Sequence, residues 1–333
     1  LLSGAKQDIY AIAIAGGGAG NVAVNGSSTS NVLQGEERAT IDGGSFQVGS
    51  LTLSAAEGDR TIWSLAGAIS GAGTVAVGVA NANNIILSKR VAETLNTSLT
   101  LTGALKLESG GSAHIRSAAV GGGGAGNAAA GASIAINVIE GEESALIRGS
   151  TITGASSVTV EVVRGDADIK TLAGNVQGAG NGAGAGAVAI STVNQARQAR
   201  ILDSQLSIGS AAARVEAATR ATITTPALSG AGAGNAAVVF SNTSNNIAAR
   251  TLASVENSGG AAGNLSVLAA DTSSIYSGAG GVAGAANAAV GGATAINRVD
   301  SQIEARLLDT KNTGWALNNL RSMRTRRRTS SPP

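Results

Sequence analysis

Two pairs of adjacent acids, Glu36-Glu37 and Glu142-Glu143, are the residues best suited by type to do chemistry, because acid–base cleavage of a glycosidic bond needs two close carboxyl groups. Each pair follows an asparagine, Asn31 or Asn137, by five and six residues. At the matching place other stretches carry Lys89-Arg90 and Arg250, so the position accepts either sign of charge and reads as a solvated turn. Neighbours in a strand also face opposite ways, which separates the two carboxylates. The single histidine, His114, has no Ser or Asp at a spacing that suggests a triad and reads as an exposed strand residue. Gly121, Gly123 and Gly126 fit a Gly-x-Gly-x-x-Gly string, but the chain has 48 glycines and no helix pattern follows to aim an N-terminus at a phosphate. No glycine run leads into Lys-Ser or Lys-Thr, and the calcium-binding nonapeptide is absent. Thr100/Thr102, Thr151/Thr153 and Thr222/Thr224 stand at different phases and form no single flat threonine array. Without cysteine there are no disulfides, thiolate nucleophiles or common structural zinc sites. The expectation is no catalytic residue, no cofactor and no metal.

The elements that must position these residues recur. Asn31, Asn84, Asn137, Asn194, Asn245 and Asn297 each follow a run of small residues behind a glycine-rich block such as Gly-Ala-Gly-Asn, at spacings of 53, 53, 57, 51 and 52. Six repeats of about 53 residues result, and a repeat of that length marks a solenoid or an array. Within each copy the period is two, as in Ala11-Ile12-Ala13-Ile14-Ala15, Ile134-Ala135-Ile136 and Val188-Ala189-Ile190. Glycine recurs too often for helices, and no apolar helical stripe survives. The fold class expected is all-β: a right-handed parallel β-solenoid over residues 1–310, with two or three coils per repeat. That makes roughly 15 coils and a rod about 70 Å long at ~4.8 Å per coil. The six asparagines are expected at corners, in the left-handed conformation.

Composition agrees with a narrow interior. Aromatics are 2% and charged residues 13% of 333 residues, while the 43% hydrophobic content is largely Ala, Val, Ile and Leu. Coils ~4.8 Å apart accept one layer of such side chains and leave little space for Trp or Phe. Trp63 and Trp315 stand at unrelated phases and suggest no stacking platform. Val and Ile content argues against disorder, three prolines without a Gly-x-y period against collagen, and the lack of about 18 unbroken apolar residues against a transmembrane helix. No signal peptide is visible.

The motif Gly-Ala-Gly-Asn-Ala-Ala, then a Val/Ile/Ala strand ending in Asn, then Ala-x-Ile-x-x-Ser-x-Ile-x-x-Gly, resembles the repeats of large bacterial filamentous adhesins of the leukotoxin type and of autotransporter passengers. Ser144–Thr153 and Ala199–Ile208 show its second half, and the resemblance covers about residues 5–310. It implies a non-enzymatic, structural or adhesive β-helix, extracellular or at the bacterial cell surface, serving as stalk or fibre and contacting itself or a host or cell-surface ligand. The alternatives are a filament subunit stacking end to end and a solenoid polysaccharide-degrading enzyme or tailspike-like protein. The even repeat disfavours the enzyme, which would break it around a cleft.

Charge divides the chain. Residues 1–310 hold 17 Lys and Arg against 21 Asp and Glu, whereas Lys311, Arg321, Arg324, Arg326, Arg327 and Arg328 give the last 23 residues +6. This 311–333 segment reads as an irregular basic tail; without aromatic interleaving no nucleic-acid binding is expected, nor membrane insertion. The array reads as opening in mid-repeat, because Asp8-Ile9-Tyr10 matches Ser274-Ile275-Tyr276, and as uncapped. If the branched residues face the core, Ala135 and Ala189 belong to an outward stripe suited to lateral contact.

Overall fold

The computed structural model describes residues 1–308 and 314–328, which are all β, with parallel pairing and no helix. One winding of the chain runs through Gln7–Ala19, Val22–Asp42, Ser45–Val48 and Leu51–Glu57. Arg60–Ala72 then begins the next winding directly beside the first, with Tyr10 against Trp63. This is a parallel β-solenoid. The step from one winding to the next equals the sequence repeat, since Asn31 lies beside Asn84 and Asn84 beside Asn137. Each repeat is therefore one coil, not two or three. Six coils stack to about 29 Å at ~4.8 Å each, not to about 70 Å. The larger dimension lies along the strands: 21 residues, as in Ala128–Arg148, extend about 70 Å at ~3.3 Å per residue. The molecule is a broad slab.

The turns explain why strands this long stop where they do. Gly43, Asn96, Gly149, Asp203 and Asn257 all have φ between 49° and 72°, one on each of the first five coils, and end the long strand at the same corner. Glycine, asparagine and aspartate are the residues that tolerate this left-handed conformation. The corner is thus present, but not at the asparagines expected to occupy it. Asn31, Asn84, Asn137 and Asn245 lie buried in mid-strand, and Asn297 is in register with Asn245 on the last coil. Their amides form a ladder: Asn31 Nδ2 donates to Asn84 Oδ1 at 2.8 Å, Asn84 Nδ2 to Asn137 Oδ1 at 2.8 Å, and Asn245 Nδ2 to Asn297 Oδ1 at 2.9 Å. Asn194 is exposed, and Ser191 takes its place in the column beside Asn137 and Asn245.

The two walls of the slab meet across this seam. Asn84 Nδ2 also donates to Ser117 Oγ at 3.1 Å, and Asn137 Nδ2 to Thr171 Oγ1 at 2.7 Å, joining the 21-residue strands to the 13-residue strands opposite. On one side of the seam lies a waist of Ala66, Ala68, Ala80, Ala82, Ala119 and Ala135, continued by Ala173, Ala187, Ala189 and Ala227. On the other side lies a layer of branched residues including Ile62, Ile86, Ile115, Ile139 and Ile169. Beyond it the slab thickens around Leu53, Leu99, Leu105, Leu107 and Ile152.

The waist reverses the expected orientation of Ala135 and Ala189. Both are fully buried and in register with each other, while Ile136 points outward at 37% exposure. The walls approach too closely there for branched side chains on both inner faces, so alanine turns inward and the larger residue turns out. Residues 311–313 and 329–333 of the basic tail lie outside the described residues. Trp315–Arg328 does not form an irregular tail but a strand parallel to Gly259–Ala285, with Asn319 donating to Asn264 at 2.8 Å.

Two substitution pairs test this arrangement. Asn84→Leu strands two asparagines and a serine and is expected to cost about 1–3 kcal/mol in urea unfolding, whereas Asn194→Leu stays within about 0.5 kcal/mol. Ala135→Glu is expected to abolish the β-sheet circular dichroism signal, because it places a charge in a dry, filled waist, while Ile136→Glu retains it. Equal effects within either pair would contradict the assignment of inner and outer faces.

Candidate functional site

The paired acids are split by the pleat as their adjacency required. Glu36 and Glu142 face outward, but Glu37 and Glu143 are buried at 3% and 1% exposure, not in a solvated turn. They stand in one column with Arg90 and Arg197, in the order Glu37, Arg90, Glu143, Arg197, each one coil from the next. Arg90 Nε donates to Glu37 Oε2 at 2.8 Å and Arg90 Nη1 to Glu143 Oε1 at 3.2 Å. Arg197 Nε lies 2.7 Å from Glu143 Oε2, a contact of opposite charges without hydrogen-bond alignment, and Arg197 Nη1 donates to the Ala218 carbonyl at 2.7 Å. Arg60, from the facing wall, donates through Nη2 to Glu37 Oε1 at 2.8 Å and through Nε to Gln7 at 3.1 Å.

Glycines make the space for these guanidinium groups. A Cβ at Gly111 would lie 2.6 Å from Arg90 Cζ, and one at Gly35 would lie 2.7 Å from Arg60 Nη2. Burial pushes the Arg60 guanidinium below its ordinary value and Arg90 pushes the same way, while Glu37 and Glu143 oppose both. The column is a buried charge network. An arginine separates its two carboxylates, and each carboxylate lies between two guanidinium groups, Glu37 between Arg60 and Arg90 and Glu143 between Arg90 and Arg197. The sequence carried the signal, since Glu37, Arg90, Glu143 and Arg197 alternate in sign at spacings of 53, 53 and 54; the fourth member was missed because the fourth repeat was read three residues out of phase.

His114 is half-buried on the outer face, in register with Thr61 and Asp168, and Asp168 Oδ2 is 2.7 Å from Arg116 Nη2. Among the described residues no three His, Cys, Asp or Glu side chains converge as a metal site.

The outer face of the 13-residue strands holds what the sequence reading passed over. Tyr10 and Trp63 are adjacent across one coil step and are 72% and 51% exposed. Arg116 and Lys170 continue their column. Beside it Ile12, Leu65, Ala118 and Leu172 line a groove of about 760 Å³ whose wall is almost wholly apolar. The two tryptophans are unrelated in phase, as read, but the platform is formed by Trp63 with a tyrosine. An exposed aromatic pair of this kind can stack on a planar or ring-shaped apolar surface, and the cations next to it can meet acceptor groups. No family model, curated protein or solved structure matches this chain.

Removing one member of the buried column tests its role. Glu143→Gln leaves Arg90 and Arg197 without their shared counter-ion and is expected to cost about 3–5 kcal/mol in denaturant unfolding. Glu142→Gln, on the outer face, is expected to change stability by less than about 0.5 kcal/mol.

Proposed function

We propose that the chain is a non-enzymatic structural and adhesive β-solenoid of a bacterial surface protein, displayed outside the cell. The observation that carries this reading is the continuity of the columns: interior positions lie in register from coil to coil, amide on amide from Asn31 to Asn137 and alanine on alanine through the waist. A chain built this way is a rigid scaffold whose outer side chains are held in fixed rows. Those rows are unusually apolar, with Tyr10, Ile12, Trp63, Val176, Phe240 and Val282 all at least 48% exposed. Exposed apolar area of this extent marks an interaction surface. The Tyr10–Trp63 platform beside the groove is the place where a surface ligand with an apolar ring and acceptor groups would be held. The likeness of the repeats to filamentous adhesins supports the same reading. The shape adds to this: each coil of about 53 residues contributes only ~4.8 Å of height, so the architecture favours broad faces over reach.

Antibody labelling and protease shaving of intact cells that naturally make the protein test the reading. The expected outcome is antibody binding without lysis and loss of the epitope to external protease. A chain that becomes accessible only after lysis would overturn it.

A further inference from the structure

We propose that the outer face of the 13-residue strands is a self-complementary surface on which two copies of this chain pair laterally. The inference goes beyond the structural and adhesive reading and does not depend on where the protein is displayed.

The face carries two adjacent outward columns with an alternation that the interior does not require. In the first, Ile14, Val120 and Leu228 alternate, coil by coil, with Gly67, Gly174 and Gly280. In the second, Gly16, Gly122 and Gly230 alternate with Ile69, Val176 and Val282. The two columns are in antiphase, so every coil has one branched side chain and one glycine side by side. All six branched residues are exposed, from 42% at Val120 to 76% at Val282. The face is a checkerboard of apolar knobs and glycine holes.

A third column, two residues further along the strands, is glycine on every coil: Gly18, Gly71, Gly124, Gly178, Gly232 and Gly284. None has a positive φ. A Cβ would meet nothing within 4 Å at Gly71, Gly178, Gly232 and Gly284, and only a carbonyl at 3.6 Å or 3.9 Å at Gly18 and Gly124. Two residues on, Gly73, Gly126, Gly180 and Gly234 are different: a Cβ there would stand 2.0–2.1 Å from the carbonyl of the preceding coil. The backbone as it stands has no space for a Cβ at these four, whereas the former have open space outside them. Glycine weakens a strand, and where backbone geometry does not demand it, it marks the close approach of another surface.

The occupant that fits is a second copy. A two-fold axis along the stacking direction, midway between the two alternating columns, lays each knob of one copy over a glycine of the other on the same coil. Self-complementarity under a two-fold is what an isologous dimer requires. The extent is also sufficient: from the column of Ile12 to that of Gly18, which this axis lays on each other, the face measures about 20 Å by 29 Å, roughly 570 Å² per copy and about 1,100 Å² in all, above the ~1,000 Å² that a specific interface needs.

Sedimentation equilibrium of the full 333-residue chain reads the association, and thermal unfolding reads the fold. The wild type is expected to dimerise below about 100 µM. The triple variant Gly71→Val, Gly124→Val, Gly178→Val fills open space on the outer face. It is expected to keep or raise the unfolding temperature while weakening association at least tenfold. Ile69→Lys with Val176→Lys is expected to weaken it similarly. A wild type that stays monomeric at about 100 µM overturns the proposal. So does a glycine triple variant that folds and associates like wild type, the result expected if chains met end to end or through the opposite wall. Ile136→Lys, on that opposite wall, is expected to leave association unchanged; if it alone disrupts the dimer, the checkerboard is not the interface.

Discussion

Along the paired strands of the described residues, each position lies about 4.8 Å from its equivalent one coil away, and that constraint governs the rest of the structure. A column tolerates what can stack on itself. Alanine and isoleucine do so by dispersion, and asparagine does so by passing a hydrogen bond from amide to amide, as Asn31, Asn84 and Asn137 do. A buried charge cannot, because two like charges at that distance in a dry interior repel. The column of Glu37 therefore alternates, with Arg90 and Arg197 between and beyond the two carboxylates. A network of this kind is weak evidence of net stabilisation, since desolvating the ions offsets much of their attraction. Its stronger effect is on register: a slip of one coil would set Glu37 against Glu143.

The same constraint, applied across the slab, accounts for the composition. Where the walls close to a waist, only Ala66, Ala119, Ala135 and their neighbours fit between them. Where the slab thickens, leucine and isoleucine fill it with Trp315 half-buried against them, and other aromatic rings stand outside, as Tyr10, Trp63, Phe240 and Tyr276 do. The low aromatic content thus follows from the narrowness of the interior. Apart from the left-handed corners, the abundant glycine has two origins. Some glycines admit a buried guanidinium or a neighbouring carbonyl, as Gly111 and Gly73 do, and others lie on an open face with nothing of their own chain to admit.

The contrast between inside and outside is one of filling. The interior is filled, the acids within it are paired, and the outer wall of the 13-residue strands presents fixed rows of apolar, aromatic and cationic side chains. One edge of that wall, at Tyr10 and Trp63, has the chemistry to hold a small ring-bearing ligand. The adjoining stretch has the relief of a surface shaped against its own copy. The two regions are neighbours on one sheet and share the column of Ile12, so pairing would cover that side of the groove and leave the Tyr10–Trp63 column at the margin.

Much of this was legible in the residues. Period-two alternation, the 53-residue repeat and the glycine-rich blocks establish a parallel solenoid, because strand faces alternate and in-register stacking copies the sequence period onto the structure. The match of Asp8-Ile9-Tyr10 to Ser274-Ile275-Tyr276 is likewise real, with Tyr10 and Tyr276 in one outward column. What the sequence could not decide was how many coils a repeat makes, since an alternating run has the same pattern whether it bends after five residues or after 21. It could not decide which face of an Ala–Ile alternation turns inward either, because that depends on the distance to the opposite wall. Ala135 and Ala189 went in, and Ile136 went out, for that reason. Glu37 and Glu143 read as solvated because sign reversal at one phase usually means exposure. Only the stacking of the coils turns that reversal into attraction, by placing opposite charges within hydrogen-bonding distance in the core.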